Sequence, residues 1–477
     1  MKLLYVTSEA LPFAKTGGLA DVAGSLPKAL ARRKIAVRGI MPLYTCIDEQ
    51  YRSRMTKIAE FSVNLSWRSV YVGLYELKQD GVKWYFLDNE YYFKREGLYG
   101  YMDDGERYAF FCLAVIESIR YMDIKPDVIH TNDWQGAMIP VYLKLKYGLV
   151  PELCDIKTVL TIHNIQYQGK AHRSFLDDVC GLSQEHYYSG LLSDPDGNDC
   201  INMLKGGILL ADRVTTVSPT YAHEIQNAYF AHGLDRVLSA VKDRLSGIIN
   251  GIDTDYYSAE KSPYLTCNFT AGHLEDKAKN KLALQKNLGL FEDAEVPVFA
   301  VISRLVNHKG LDLIAYMMDS FLERPVQLVV LGQGEPGYEA MFLEKMRTHH
   351  GQVAAQITFS NELAFQIYAG SDFLLMPSKS EPCGLSQMIA MQFGTVPIVR
   401  NTGGLCDTVD YFFDGVGNGF KFDNYNGGEL LWTVEKALGV YYDKPSFATL
   451  RKNCMASDFT WTRSARDYSA LYKSLLS

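Results

Sequence analysis

Residues 3–30 read LLYVTSEALPFAKTGGLADVAGSLPKAL. Leu3–Thr7 is a short apolar run of strand type, whereas Leu19, Val22, Ala23, Leu26 and Leu30 fall on one face of a helix. Pro27 stands inside that helix and is expected to bend it. Between strand and helix lies Lys15-Thr16-Gly17-Gly18. A Gly-Gly turn at a helix N-terminus leaves backbone N–H groups unpaired at the positive end of the helix dipole, a setting suited to an anion. The pattern recurs: residues 401–408 read NTGGLCDT and follow the apolar run Val396–Val399. Two strand–turn–helix units of this kind point to two similar halves, each offering an anion site. Only the first carries a lysine, and position alone leaves open whether Lys15 serves that site or is a solvated cation.

Between these units, short apolar runs alternate with helical stretches. The expected strands are Leu3–Thr7, Val37–Met41, Trp84–Leu87, Val128–His130, Thr158–Ile162 and Val214–Val217 in the first half. In the second they are Val298–Ile302, Gln327–Leu331, Gln356–Phe359, Phe373–Met376 and Val396–Val399. Apolar strands alternating with helices predict an α/β fold of two doubly wound parallel sheets, covered on both faces. Ligands bind beyond the carboxyl ends of such strands, so the expected site is a cleft between the two domains. The turn-rich stretch LSGIINGIDTDYY at 245–257 marks the boundary. The expected division is 1–250, 251–455 and a terminal helix over 456–477, with Trp461, Tyr468, Leu471, Tyr472 and Leu475 as its apolar stripe.

The 477 residues exceed what one core holds. A net charge of −7 without a basic run excludes nucleic acid and anionic membrane as partners, and no apolar stretch is long enough for a membrane span. The chain enters its first strand at once, so no targeting segment is expected and the location is cytoplasmic. The nine cysteines form no C-x-x-C pair, which fits reduced thiols.

Several motifs fall just past strand ends. Arg304 and Lys309 follow Val298–Ile302, where a leaving phosphate would be held; two solvated cations are the alternative. Glu381, in Glu381-Pro382-Cys383-Gly384-Leu385, suits sugar hydroxyls or caps the next helix. His163 ends a buried strand, as a sugar contact or as a core histidine. Asp133-Trp134 pairs an acid with an aromatic, and Tyr91, Tyr92, Phe93, Tyr99, Tyr101 and Tyr108 suit glucan stacking or core packing. Gly332-Gln333-Gly334-Glu335-Pro336-Gly337 matches the dinucleotide pattern G-x-G-x-x-G, but not at the first strand of its half, and Glu335-Pro336 brings bulk and negative charge against a pyrophosphate. Asp253-Thr254-Asp255 imitates a metal-binding D-x-D yet reads as turn chemistry, so no metal or other cofactor is expected.

Taken in order, KTGGLADV from Lys15, Asp133-Trp134, TIHNIQYQG from Thr161, SPTYA from Ser218 and NGID from Asn250 strongly resemble the bacterial glycogen synthases and their plant starch-synthase relatives. So do SRL and KGLDLI from Ser303, EPCGL from Glu381 and TGGLCDTV from Thr402. The resemblance spans nearly the whole chain. It implies the B-type glycosyltransferase fold, two Rossmann-like domains with a deep cleft, and a final helix that returns to the N-terminal domain. It implies retaining transfer of glucose from ADP-glucose to the non-reducing 4-OH of an α-1,4-glucan such as glycogen or a maltooligosaccharide, releasing ADP.

Carried over by position, the resemblance puts Lys15 and the amides of Gly17 and Gly18 at the donor's phosphates and sugar. Arg304 and Lys309 neutralise the departing diphosphate, Glu381 holds glucose hydroxyls, and the backbone of Cys383, Gly384 and Leu385 lies nearby. Thr402, Gly403, Gly404 and Leu405 supply amides to the distal phosphate, and His163 lies against the reacting glucose. Tyr92 resembles an aromatic near the donor, and Asp133, Asn164 and Asn250 belong to the same substrate-binding motifs. Three positions depart from relatives: Ile389 replaces the second acid of the wider superfamily, Gln135 stands where relatives often carry His, and Phe359 where some carry Tyr.

Breaking a glycosyl phosphate bond develops negative charge on the diphosphate, which fixed cations and amides stabilise in place of a metal ion. No second carboxylate is spaced as a nucleophile, so same-face displacement is the expected route. A transferase for another sugar nucleotide, a non-catalytic glucan-binding relative and a nicotinamide enzyme are the competing readings; intact Lys15, His163, Arg304, Lys309 and Glu381 speak against the second.

Overall fold

In the computed structural model, which describes residues 1–477, the opening apolar run becomes β1 (Lys2–Val6), with Leu3 to Val6 fully buried. It lies inside a nine-stranded sheet between β2 (Ala36–Pro42) and β6 (Val128–Asn132), both parallel to it. Beyond β6 come β7 (Lys157–Ile162), β10 (Arg213–Thr216) and β11 (Leu245–Gly247), again parallel. Beyond β2 come β5 (Val82–Asp88), β4 (Arg68–Gln79) and β3 (Thr56–Leu65). A short antiparallel pair, β8 (Lys170–His172) and β9 (Cys200–Asn202), stands apart. The chain winds from β1 to β2 on one side and returns to β6 on the other. The switch point of this sheet therefore lies between β1 and β6, where open α/β sheets hold their ligands.

The second sheet repeats this logic. Its order is β14 (Val353–Gln356), β13 (Gln327–Leu331), β12 (Val298–Ile302), β15 (Phe373–Met376), β16 (Val396–Arg400) and β17 (Phe420–Phe422), all in parallel register. Winding proceeds outward from β12 through β13 and β14, then restarts at β15, so the switch point lies between β12 and β15. The chain divides into two compact units, one of Met1–Gly251 with Trp461–Ser477 and one of Ile252–Thr460.

Several elements differ from expectation, the short strands β8, β9 and β11 among them. The first sheet is not wholly parallel: β3–β4 and β4–β5 pair antiparallel. The hairpin turns on Ser66-Trp67, with Ser66 at φ +55°, where a Gly or Asn would have flagged the turn. The strand expected at Gln356–Phe359 lies at Val353–Gln356: Val353 and the alanines after it are buried, whereas Phe359 is 70% exposed. β17 was not expected because its three residues are too few to show a period.

The helix Gly18–Arg32 runs from the Gly-Gly turn with Pro27 inside it and Leu19, Val22, Ala23, Leu26 and Leu30 buried. The terminal helix spans Trp461–Ser474 and buries Trp461, Tyr468 and Tyr472 in the first unit's core, with Leu471 and Leu475 packed against it. Its Ser464 hydroxyl donates to the Ile249 carbonyl (2.6 Å), and the Tyr472 hydroxyl lies 2.7 Å from His130 Nδ1. No helix is long and apolar enough to cross a membrane.

Candidate active site

At the switch point of the first sheet, three loops converge. The loop after β1 carries Glu9 and runs into Lys15-Thr16-Gly17-Gly18; β6 ends at Asn132-Asp133; β7 ends before His163. Asp133 adopts φ +53°, an uncommon conformation for a non-glycine residue. The bend delivers its carboxylate to the next strand, where Oδ1 accepts the backbone N–H of His163 (2.7 Å) and of Asn164 (3.3 Å). Desolvation raises the Asp133 carboxyl to about 7, against those two hydrogen bonds. The same closed surroundings push the His163 imidazole down to about 3, so it is neutral at physiological pH. Its Nε2 lies 2.8 Å from Asn132 Oδ1.

The KTGG turn is partly occupied from within. Glu9 accepts the Thr16 N–H (2.5 Å) and hydroxyl (2.8 Å), and the Gly17 N–H also bonds its carboxylate. Lys15 pairs with Asp21 at 2.9 Å. The Gly17 amide expected at a phosphate is therefore held by an internal carboxylate, while the next amides, of Gly18 and Leu19, meet no protein acceptor. Burial raises both the Glu9 and the Asp21 carboxyl, and Lys15 opposes the rise at Asp21.

The second switch point gathers the other charged residues. Lys309 donates to Glu381 Oε2 at 2.6 Å, and the buried Ser378 hydroxyl donates to the same oxygen at 3.0 Å. Glu381 is buried, and its Oε1 is left without a bond inside the chain. Arg304 is exposed, and its guanidinium makes no ion pair or hydrogen bond; its carbonyl accepts the Val306 N–H and the Ser303 hydroxyl. The backbone N–H groups of Gly384 and Leu385, just before the helix Ser386–Gln392, meet no protein acceptor. Gln387 braces this loop by donating to the Cys383 and Gly384 carbonyls and to the Thr408 hydroxyl.

The second TGGL turn bonds several of its amides within the chain. The Thr402 N–H goes to the Arg400 carbonyl, that of Gly404 to the Glu381 and Pro382 carbonyls, and that of Leu405 to the Thr402 carbonyl. The Gly404 amide thus holds the Glu381 loop, while those of Thr402 and Leu405 close local turns. Gly403 makes the contact possible: it sits at φ +46°, and a Cβ there would stand 1.9 Å from the Glu381 carbonyl oxygen. The Gly332-x-Gly334 segment is likewise a packing device. A Cβ on Gly332 would stand 1.9 Å from the Ser303 carbonyl oxygen, so these glycines let the Arg304 loop lie against them. The Gly332, Gly334 and Glu335 amides are bonded to Gln356, Glu339 and Leu305, leaving no cradle for a pyrophosphate. Asp253 accepts the N–H groups of Asp255 and Tyr256 through Oδ1, as a turn residue does.

Some expected contacts are buried instead. Tyr92 is 2% exposed, packs on Phe110 and donates to Glu106 (2.6 Å), so its ring is core. Phe93 and Tyr108 are core as well, while Tyr91 is exposed. Trp134 is buried edge-on to Tyr108. Asn164 closes a local turn by accepting from Gln166. Asn250 is buried with Oδ1 unpaired, as is Gln135 with Oε1. The residues not anticipated, Glu9, Asp21, Asn132, Ser378 and Gln387, all orient an anticipated neighbour. Their one sequence signal was a polar side chain within a few positions of a motif residue.

Residues 2–240 match the family model of the starch synthase catalytic domain, and residues 286–443 match that of glycosyl transferases group 1. With two parallel-sheet units, these matches define the class: a glycosyltransferase of the B-type fold. The chain belongs to the glycogen synthase and starch synthase family. It is 46% identical to the glycogen synthase of Clostridioides difficile, with both chains covered in full. It is 45% identical to that of Geobacillus thermodenitrificans, over 100% of this chain and 98% of the other. Among solved structures, the catalytic domain of starch synthase IV from Arabidopsis thaliana bound to ADP and acarbose superposes with a TM-score of 0.91, at 33% identity over 99% of each chain. Sucrose-phosphate synthase from Thermosynechococcus elongatus shares the fold, with a TM-score of 0.62 at 16% identity over 100% of this chain and 99% of the other.

Proposed function

We propose that this glycosyltransferase extends α-1,4-glucans, passing glucose from ADP-glucose to the non-reducing 4-OH with retention of configuration and releasing ADP. The observation that carries the proposal is the second switch point. There an ammonium meets a carboxylate with one oxygen free, and an unpaired guanidinium and two unbonded amides follow the same two strands. Arg304, Lys309 and the amides of Gly384 and Leu385 fit a diphosphate, and Glu381 Oε1 fits a sugar hydroxyl.

As the bond to phosphate lengthens, negative charge builds on the diphosphate beside these fixed donors, which need no reorganisation to stabilise it. Lys309 exchanges its contact with Glu381 for the diphosphate and frees a second carboxylate oxygen for the sugar. His163 is assigned a hydroxyl of the transferred glucose, and Asp133 holds its backbone in place. The leaving phosphate takes the acceptor's proton on the face it departs from. The protein acts in the cytoplasm on ADP-glucose and glycogen, with no metal required.

The test is nucleotide release. ADP should appear from ADP-glucose only when glycogen is added, and UDP-glucose should be the poorer donor. No release from either donor would overturn the proposal.

A further inference from the structure

Which ring nitrogen of His163 carries the proton decides whether its side chain accepts or donates toward a ligand, and Asn132 determines the answer. Asn132 ends β6 and is 1% exposed. Its Nδ2 donates to the Val6 carbonyl of neighbouring β1 at 2.8 Å, a bond only the N–H side of the amide can make. Oδ1 is thereby fixed on the opposite side. It accepts the Tyr5 hydroxyl at 3.2 Å and lies 2.8 Å from His163 Nε2. An amide oxygen has no proton to give, so Nε2 is the protonated nitrogen. Tyr5 is itself fully buried, edge-on to His130, whose ring is held between Thr161 and Tyr472. In the neutral ring Nδ1 keeps its lone pair, and no group of the chain bonds to it.

We propose that Asn132 is a positioning residue for the transfer: it fixes the Nε2–H tautomer of His163, so that Nδ1 accepts a hydrogen bond from one hydroxyl of the transferred sugar. This rests on the role given to His163 above. It also gives a reason for a neutral ring. Positive charge develops on the sugar during glycosyl transfer; an imidazolium there would oppose it, whereas an accepting nitrogen does not. The titratable groups around His163 are Asp133, bonded to its backbone, His130 and Tyr5 on the strands packed beside it, and Glu9 beyond Asp133.

Histidine 15N resonances of the full-length protein test the proposal, with His163 identified by the signals lost in His163→Gln. The expected result is a neutral ring protonated at Nε2 from about pH 6 to about pH 8, the range in which a free histidine would titrate. In Asn132→Asp a carboxylate faces Nε2 and stabilises the imidazolium. The acid limb of kcat/KM against pH should then move up by about one unit or more, with activity returning at alkaline pH. A wild-type ring protonated at Nδ1 overturns the proposal, and so does an Asn132→Asp variant that loses the same fraction of activity at every pH, as a purely structural residue would. If the tautomer is as stated but His163→Ala transfers glucose at the wild-type rate, the role of His163 fails while the tautomer assignment stands.

Discussion

At the scale of single residues, the first unit's site is held by groups whose protonation states oppose their ordinary preferences. Asp133 titrates near 7 rather than 3.8, and His163 near 3 rather than 6.5. For Asp133 the folded pKa lies above the unfolded one, so its contribution is most favourable below about pH 4 and is lost as the pH rises through 7. For His163 the folded pKa is depressed, so stability is lost as the pH falls from 6.5 toward 3. Asp133→Asn keeps an oxygen for the His163 and Asn164 N–H groups and removes the buried charge. It should melt higher than the wild type at pH 8, with the gap closing toward pH 4, while turnover falls. Thermal melts across that range check this, and an equal shift at every pH would contradict it. A strained, destabilising residue kept at a strand end is what a functional site trades against stability.

At the scale of elements, the second unit's site is assembled by loops lying against one another without side chains between them. Gly403 carries the Glu381 loop, and Gly332 with Gly334 carries the Arg304 loop. Gly403→Ala combines a left-handed backbone with a contact against a carbonyl oxygen and should cost about 3 kcal/mol in urea unfolding. It should also displace Glu381, so turnover falls even where the variant remains folded; an unfolding midpoint equal to the wild type's would contradict the packing role.

The position of TGGL after a strand was legible in the sequence, but its use was not. A Gly-Gly turn reads equally as an anion cradle or as a place for close backbone approach, and only the partners of its N–H groups distinguish the two. The same ambiguity hid Glu9: KTGG announced an anion site, and nothing local showed that the chain supplies its own carboxylate. The β3–β4 hairpin escaped because Ser66 takes a conformation its residue type does not advertise. The burial of Tyr92 was not legible because an aromatic cluster looks alike as core and as stacking surface.

At the scale of the whole molecule, every side chain argued to act on the ligand lies beyond the carboxyl end of a strand at or next to one of two switch points. These are β1, β6 and β7 in the first unit and β12 and β15 in the second. That much was readable from order alone, because the buried strands are continuous apolar runs and Lys15, Asp133, His163, Arg304 and Glu381 each follow one. The strand order within each sheet, which turns strand ends into sites, depends on pairings remote in sequence and is visible only in the fold.

The central claim is that the second switch point grips the donor's diphosphate. Arg304 tests it most directly, since its side chain is exposed and bonds to nothing within the chain, so its removal leaves the fold intact. Calorimetric titration of the full-length protein with ADP should show Arg304→Ala binding about tenfold or more weakly, the loss of one charge-assisted contact, with adenosine binding and the melting temperature unchanged. An ADP affinity equal to that of the wild type would contradict the account.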